Sequence, residues 1–113
     1  MAKNLEFGTL LDLYGSLISD KQYEAMDYYY NQDLSLSEIG ELLNISRQAV
    51  RNNIKKGEEN ILEYENNLGL YAKLESTHNI IENVALKLEK INNELKNNEL
   101  ESLLAELKGI ELI

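Results

Sequence analysis

The chain has 113 residues, a formal net charge of −9, and neither cysteine nor proline. That length suits one domain, and the missing cysteines exclude disulfides and thiolate metal sites. The acidity means that any contact with a polyanion has to come from a local patch acting against an opposing overall field.

No apolar run approaches the roughly eighteen residues of a bilayer span. Residues 1–6 lack the apolar core of a signal peptide. The sequence is therefore read as that of a cytoplasmic protein with no membrane insertion. Six scattered glycines and the dominance of Leu, Glu, Lys, Ile and Asn point to an all-α fold.

In chain order, Leu5, Leu10, Leu11, Tyr14, Leu17 and Ile18 recur at helical spacing and predict a first helix over 5–16. Ser19 and Gln22 match a capping box. They open a second helix over about 20–31, with Tyr23, Met26 and Tyr30 on its apolar face. A second capping box, Ser35 with Glu38, starts a third helix at 36–43, from which Ile39, Leu42 and Leu43 face inward. Gly40 costs about 1 kcal/mol inside a helix and fits a close crossing. Asn44 tolerates the left-handed turn that follows. Ile45 is expected to plug the core at that turn. Ser46 caps a fourth helix, 46–56 or longer, anchored by Val50 and Ile54.

Beyond Gly57, Ile61, Leu62, Leu68 and Tyr71 suggest a bridging helix broken near residues 66–69. A long helix then carries Leu70, Leu74, Ile81, Val84, Leu88, Ile91 and Leu95. From Ile81 the spacing is that of a coiled-coil seam, with Thr77 in the one missing position. Asn97 and Asn98 mark a weak break. Leu100, Leu103, Leu104 and Leu107 form a last short helix, stopped at Gly109. The expected organisation is a wingless helix-turn-helix bundle over 1–60 and a helical extension over 61–113, within one compact domain.

The segment from Leu36 to Lys56 carries the functional signal. In a helix-turn-helix the first helix braces and the second lies in the major groove of DNA. With Val50 and Ile54 turned to the core, the candidate nucleic-acid-binding residues are Arg47, Gln48, Arg51, Asn52, Lys55 and Lys56. Arginine pairs bidentately with guanine, and Gln or Asn with adenine. The two lysines suit phosphates. Arg47, Arg51 and Lys55 form an i, i+4, i+8 stripe, and the chain has no arginine outside this helix.

The run Leu36-Ser37-Glu38-Ile39-Gly40, followed by Asn44-Ile45-Ser46-Arg47-Gln48-Ala49-Val50, resembles the promoter-reading fourth region of bacterial sigma factors. A wider pattern includes Tyr28-Tyr29-Tyr30, Asp33-Leu34-Ser35 and Asn53-Ile54-Lys55. It is similar to the YlxM family of small bacterial proteins over nearly the whole chain. That resemblance implies a regulatory or accessory role in the signal recognition particle pathway. It adds the particle's RNA and protein to DNA as expected partners. Gly57-Glu58-Glu59 departs from sigma-like readers, which stay basic beyond the recognition helix.

The seam Ile81, Val84, Leu88, Ile91 and Leu95 spans about 21 Å. It is read as the dimerisation stripe of a homodimer, which presents two recognition helices together. Consecutive tyrosines at 28–30 point about 100° apart, so they do not form one stacking platform for bases. His78 has Glu75 and Glu82 at helical spacing, and the charged, solvated face outweighs a metal site there. No cofactor, small-molecule substrate or catalytic arrangement is indicated, and the chain is read as a non-enzyme. A sequence-specific transcriptional regulator and a protein-interaction adaptor without a nucleic-acid ligand stand as alternatives.

Overall fold

The computed structural model describes residues 3–95 and 98–110, with the side chain of Leu95 outside that set. Among the described residues there are six α-helices and no strand, so the all-α helix-turn-helix reading holds. The helices are α1 (Glu6–Tyr14), α2 (Asp20–Met26), α3 (Leu36–Leu43), α4 (Arg47–Leu68), α5 (Leu70–Leu95) and α6 (Asn98–Lys108). By its contacts the chain divides into two compact units, residues 1–70 and 71–113. No helix among the described residues is long and apolar enough to cross a membrane.

The first unit closes a core of its own. Leu11, Tyr14, Met26, Ile39, Val50, Ile54 and Ile61 are fully buried. Each such side chain contributes about 1.5–3 kcal/mol relative to exposure. Phe7, absent from the expected apolar set, is buried on α1, whereas Leu5 and Leu17 are exposed. Both lie outside α1: Leu5 caps its start, and after Tyr14 a 3-10 turn over Gly15–Leu17 swings the chain away.

α2 begins at the expected capping box, in which Ser19 Oγ accepts from the Gln22 amide at 3.2 Å. It ends sooner than the periodicity predicts. Asp27–Asn31 forms one wide π turn instead of continuing the α-helix. Such widened turns re-aim the side chains they carry. Tyr30 consequently lies edge-on to Tyr29 at 5.1 Å and 5.7 Å from the Phe7 ring. Lys3 Nζ sits 4.5 Å from the Tyr29 ring centroid and 2.7 Å from Asp33, and that ammonium holds the Asp33 carboxyl below its usual range. Tyr29 and Tyr30 are thus engaged within the chain.

α4 is one helix of 22 residues. The bridging helix expected beyond Gly57 is its uninterrupted second half. Val50, Ile54, Gly57 and Ile61 repeat at 4, 3 and 4, so one buried stripe runs the length. Gly57 is there because α2 passes against it: a Cβ would sit 2.5 Å from Met26 Sδ. Asn66 and Asn67 lie within α4, and Gly69, at φ 62°, ends it. Tyr14 ties this second half to α1. Its hydroxyl donates to Glu65 at 2.6 Å and accepts from the Leu70 amide at 3.3 Å.

The second unit is a pair of helices. Ala85 on α5 and Leu104 on α6 are its buried apolar side chains among the described residues. An ion pair between Glu89 and Lys108 joins the two helices.

Candidate nucleic-acid interface

The start of α4 is set by three residues in succession. Asn44 adopts φ 56°, ψ 45° and closes α3 by donating its amide to the Gly40 carbonyl. The Ile45 amide donates to the same oxygen at 3.0 Å. Ser46 is extended, and its Oγ accepts from the Ala49 amide at 3.0 Å. Gly40 is required by this turn itself: a Cβ there would lie 2.8 Å from the Ile45 carbonyl oxygen. The clash is with backbone, which has no rotamer to yield. At the other end of α3, Ser35 and Glu38 complete their capping box with two 3.1 Å bonds.

The turn is more open than the sequence suggests. Ile45 is exposed rather than plugging the core, and Leu42 is 59% exposed. With α3 only 8 residues long, Leu36, Ile39 and Gly40 supply its buried face. A groove of about 350 Å³ runs beside the turn between Lys21 and Glu24 of α2 and Ala49 and Asn53 of α4.

Each predicted contact residue falls on the first three turns of α4. Arg47, Gln48, Asn52, Lys55 and Lys56 are exposed, and Arg51 is half-buried. At 100° per residue, Gln48, Asn52 and Lys56 stand opposite Val50 and Ile54, with Arg47, Arg51 and Lys55 along one flank. Gln48 Nε2 donates to Asn52 Oδ1 at 3.0 Å, so the two amides form one unit. Lys56 reaches Glu59 at 3.8 Å. Among the described residues, Arg47, Arg51 and Lys55 have no acidic partner.

The charge along α4 changes sign. Residues 42–57 hold four basic side chains and no acidic one, whereas 58–68 hold four glutamates and no base. Both ends run against the helix dipole, which favours acids at the N-terminus and bases at the C-terminus by about 0.3–1 kcal/mol each. Cations placed at the positive end of a helix raise the local potential in the place where an anion relieves it.

Sequence reasoning missed Tyr30 and Glu58 as part of this region. The Tyr30 hydroxyl donates to Glu58 Oε1 at 2.5 Å, across 28 residues of sequence. No local pattern signals such a pair, because the π turn that aims Tyr30 is itself a product of packing.

The seam residues lie on α5 as expected. Val84 and Ile91 are each 44% exposed, Ile80 beside them is 61% exposed, and Ile81 and Leu88 are half-buried. The Leu95 side chain and residue 97 lie outside the described residues. His78 Nε2 lies 3.0 Å from Glu82, both exposed. No group of three His, Cys, Asp or Glu able to hold a metal occurs among the described residues.

Comparison with known proteins agrees with this geometry. The family model for UPF0122, described as "Putative helix-turn-helix protein, YlxM / p13 like", matches residues 1–103. The chain is 39% identical over 109 residues to a UPF0122 protein of Halalkalibacterium halodurans, covering 96% of this chain and 97% of that one. It is 45% identical over 83 residues to a UPF0122 protein of Clostridium kluyveri, covering 74% and 72%. One from Acetivibrio thermocellus is 49% identical over 73 residues, covering 65% and 62%.

Proposed function

The chain belongs to the UPF0122 family, and from that premise and the charge of α4 we propose a nucleic-acid-binding regulatory protein whose α4 enters the major groove of duplex DNA. The observation that carries this reading is that the stretch 42–57 holds no acid, and that its four basic side chains stand in the first turns of a helix whose start a left-handed turn and a serine cap fix. Residues 47–56 extend about 14 Å at 1.5 Å per residue. A B-DNA major groove about 12 Å wide accepts a helix, whereas that of A-form RNA is too deep and narrow for side chains to read.

In this reading Arg47 and Arg51 pair with guanine, and Gln48 and Asn52 with adenine. Lys55 and Lys56 contact phosphates. The glutamates from residue 58 onward end the contact and keep the chain from tracking further along the duplex. The partly exposed stripe on α5, with Leu103 exposed on α6 and Ile110 exposed just beyond it, supports a homodimer through Ile81, Val84, Leu88, Ile91 and Leu95. Two copies then present two recognition helices to half-sites about 34 Å apart.

A second reading comes from the YlxM resemblance: an accessory role in the signal recognition particle pathway. It is favoured by the acidic remainder of the chain, which repels nucleic acid and leaves protein as its natural contact.

The deciding experiment titrates the protein at low and moderate salt with duplex DNA, the particle's RNA and the particle's GTPase protein. Tight, salt-sensitive binding to selected duplexes is the expected result. Arg47→Ala and Arg51→Ala are each expected to cost about 1–3 kcal/mol where they read a base. If the double variant binds every nucleic acid as the wild type does, the recognition-helix reading fails.

A further inference from the structure

α4 contains an internal control for the state of its own basic face. Lys and Glu three residues apart on a helix are neighbours and pair readily. Two such couples lie one residue apart: Lys55 with Glu58, and Lys56 with Glu59. The second is closed, at 3.8 Å. The first is open, because the Glu58 carboxylate is held elsewhere, by the Tyr30 hydroxyl at 2.5 Å.

We propose that Tyr30 is a positioning residue of the nucleic-acid interface, holding the Glu58 carboxylate off Lys55 so that Lys55 stays free to meet phosphate. The proposal rests on the nucleic-acid reading above and adds a residue that the reading does not contain. By its action Lys55 completes the row begun by Arg47 and Arg51, whereas Lys56 is already partly neutralised.

Three features make Tyr30 suited to this role. A hydroxyl-to-carboxylate bond of this length is a charge-assisted bond, about twice as strong as a neutral one. The Tyr30 ring is fixed from two sides, by Phe7 and by Tyr29, and its backbone by the wide turn Asp27–Asn31. Burial, and then the bond to Glu58, push the phenol well above its usual range, so its proton remains available to donate.

The second phenol-carboxylate pair of this unit shows what is particular to the first. Tyr14 donates to Glu65 at 2.6 Å in the same manner. The α4 residues one turn before Glu65 are Ile61 and Leu62, and the sequence has no base between Lys56 and Lys73. That pair anchors α4 to α1, and α4 has no base within one turn of Glu65. Tyr30 and Glu58 make a similar bond one turn from the recognition residues.

The test measures duplex-DNA affinity for Tyr30→Phe, Glu58→Gln and the combined variant, with circular dichroism on each. Tyr30→Phe is expected to bind about 3- to 10-fold more weakly at low salt, with the salt slope reduced by about 0.9, as for one lost phosphate contact. Tyr30→Phe combined with Glu58→Gln is expected to return to within about twofold of wild type, because the carboxylate that Tyr30 held off Lys55 is gone, while Glu59 is engaged with Lys56 as in wild type. A folded Tyr30→Phe that binds as wild type overturns the proposal, as does a double variant left as weak as Tyr30→Phe alone.

Lys55→Ala against Lys56→Ala supplies a comparison that leaves the Tyr30 packing intact. Lys55→Ala is expected to lose more affinity, and equal losses count against the proposal. If the wild type binds no duplex, the functional reading fails separately. The ligand-free state then decides on Tyr30: the Lys55 ammonium resonance reports pairing with Glu58 in Tyr30→Phe and none in wild type, and identical spectra overturn the claim.

Discussion

The two units of this chain solve the burial problem in opposite ways. Residues 1–70 fold four helices around a core whose largest fully buried side chains are Leu11, Tyr14, Met26, Ile39, Val50, Ile54 and Ile61, with α4 as the common wall. Residues 71–113 contain two helices that bury Ala85 and Leu104 while Ile80, Val84, Leu86, Ile91, Leu103 and Ile110 stay exposed. The contrast follows from geometry. Three short helices and one long one enclose a volume, so their apolar stripes converge. Two helices cover one flank of each other, and a second apolar flank remains on each. A closed unit can hold a recognition helix rigidly, as base reading needs. An open one is suited to joining another surface.

The largest effect is expected in the closed core. Ile54 is fully buried on α4, on the face opposite Gln48, Asn52 and Lys56. Ile54→Asp places an unpaired charge there, at a cost of about 3–5 kcal/mol. Urea denaturation followed by circular dichroism is expected to show the loss, and a folded variant of wild-type stability would break the picture of a tight N-terminal core.

Next comes the open unit. Val84 is 44% exposed in the single chain, so Val84→Asp costs little within a monomer. In a dimer seam the same change is expected to weaken association by about 100-fold or more. Light scattering checks this, with the thermal unfolding of the helix-turn-helix bundle expected to be unchanged. A wild type that remains monomeric well above micromolar concentration would break the comparison from the other side.

The smallest effect concerns the entry to α4. Ser46→Ala removes the acceptor for the Ala49 amide and is expected to cost about 1 kcal/mol. Because the cap fixes the helix start, duplex affinity is expected to fall as well. Stability and affinity measured on one preparation separate this variant from Arg47→Ala, which loses affinity alone.

Much of the helix-turn-helix was legible because its signals are local. Ser35 with Glu38, Gly40, Asn44 and Ser46 each act within a few residues. Their hydrogen bonds form as the spacing requires, since caps and left-handed turns depend little on distant structure. The outward placement of the proposed contact residues followed from periodicity: once Val50 and Ile54 face inward, Gln48, Asn52 and Lys55 face out. Leu42 and Ile45 were less legible. Hydrophobicity predicts burial only where another element arrives to provide it, and among the described residues none covers Leu42 and Ile45 at this turn.

By itself, then, the sequence determined where α2, α3 and α4 start, their serine caps, the left-handed turn, and which face of α4 carries charge. These depend on interactions between residues at most five apart. Only the tertiary structure decided that α4 continues unbroken to Leu68, because its second half owes its direction to Met26 packing on Gly57 and to Tyr14 bonding Glu65. The tertiary structure also decided which lysine is free. That turns on Tyr30 reaching Glu58 across 28 residues, a meeting set by the packing of α1, α2 and α4 that no local spacing encodes.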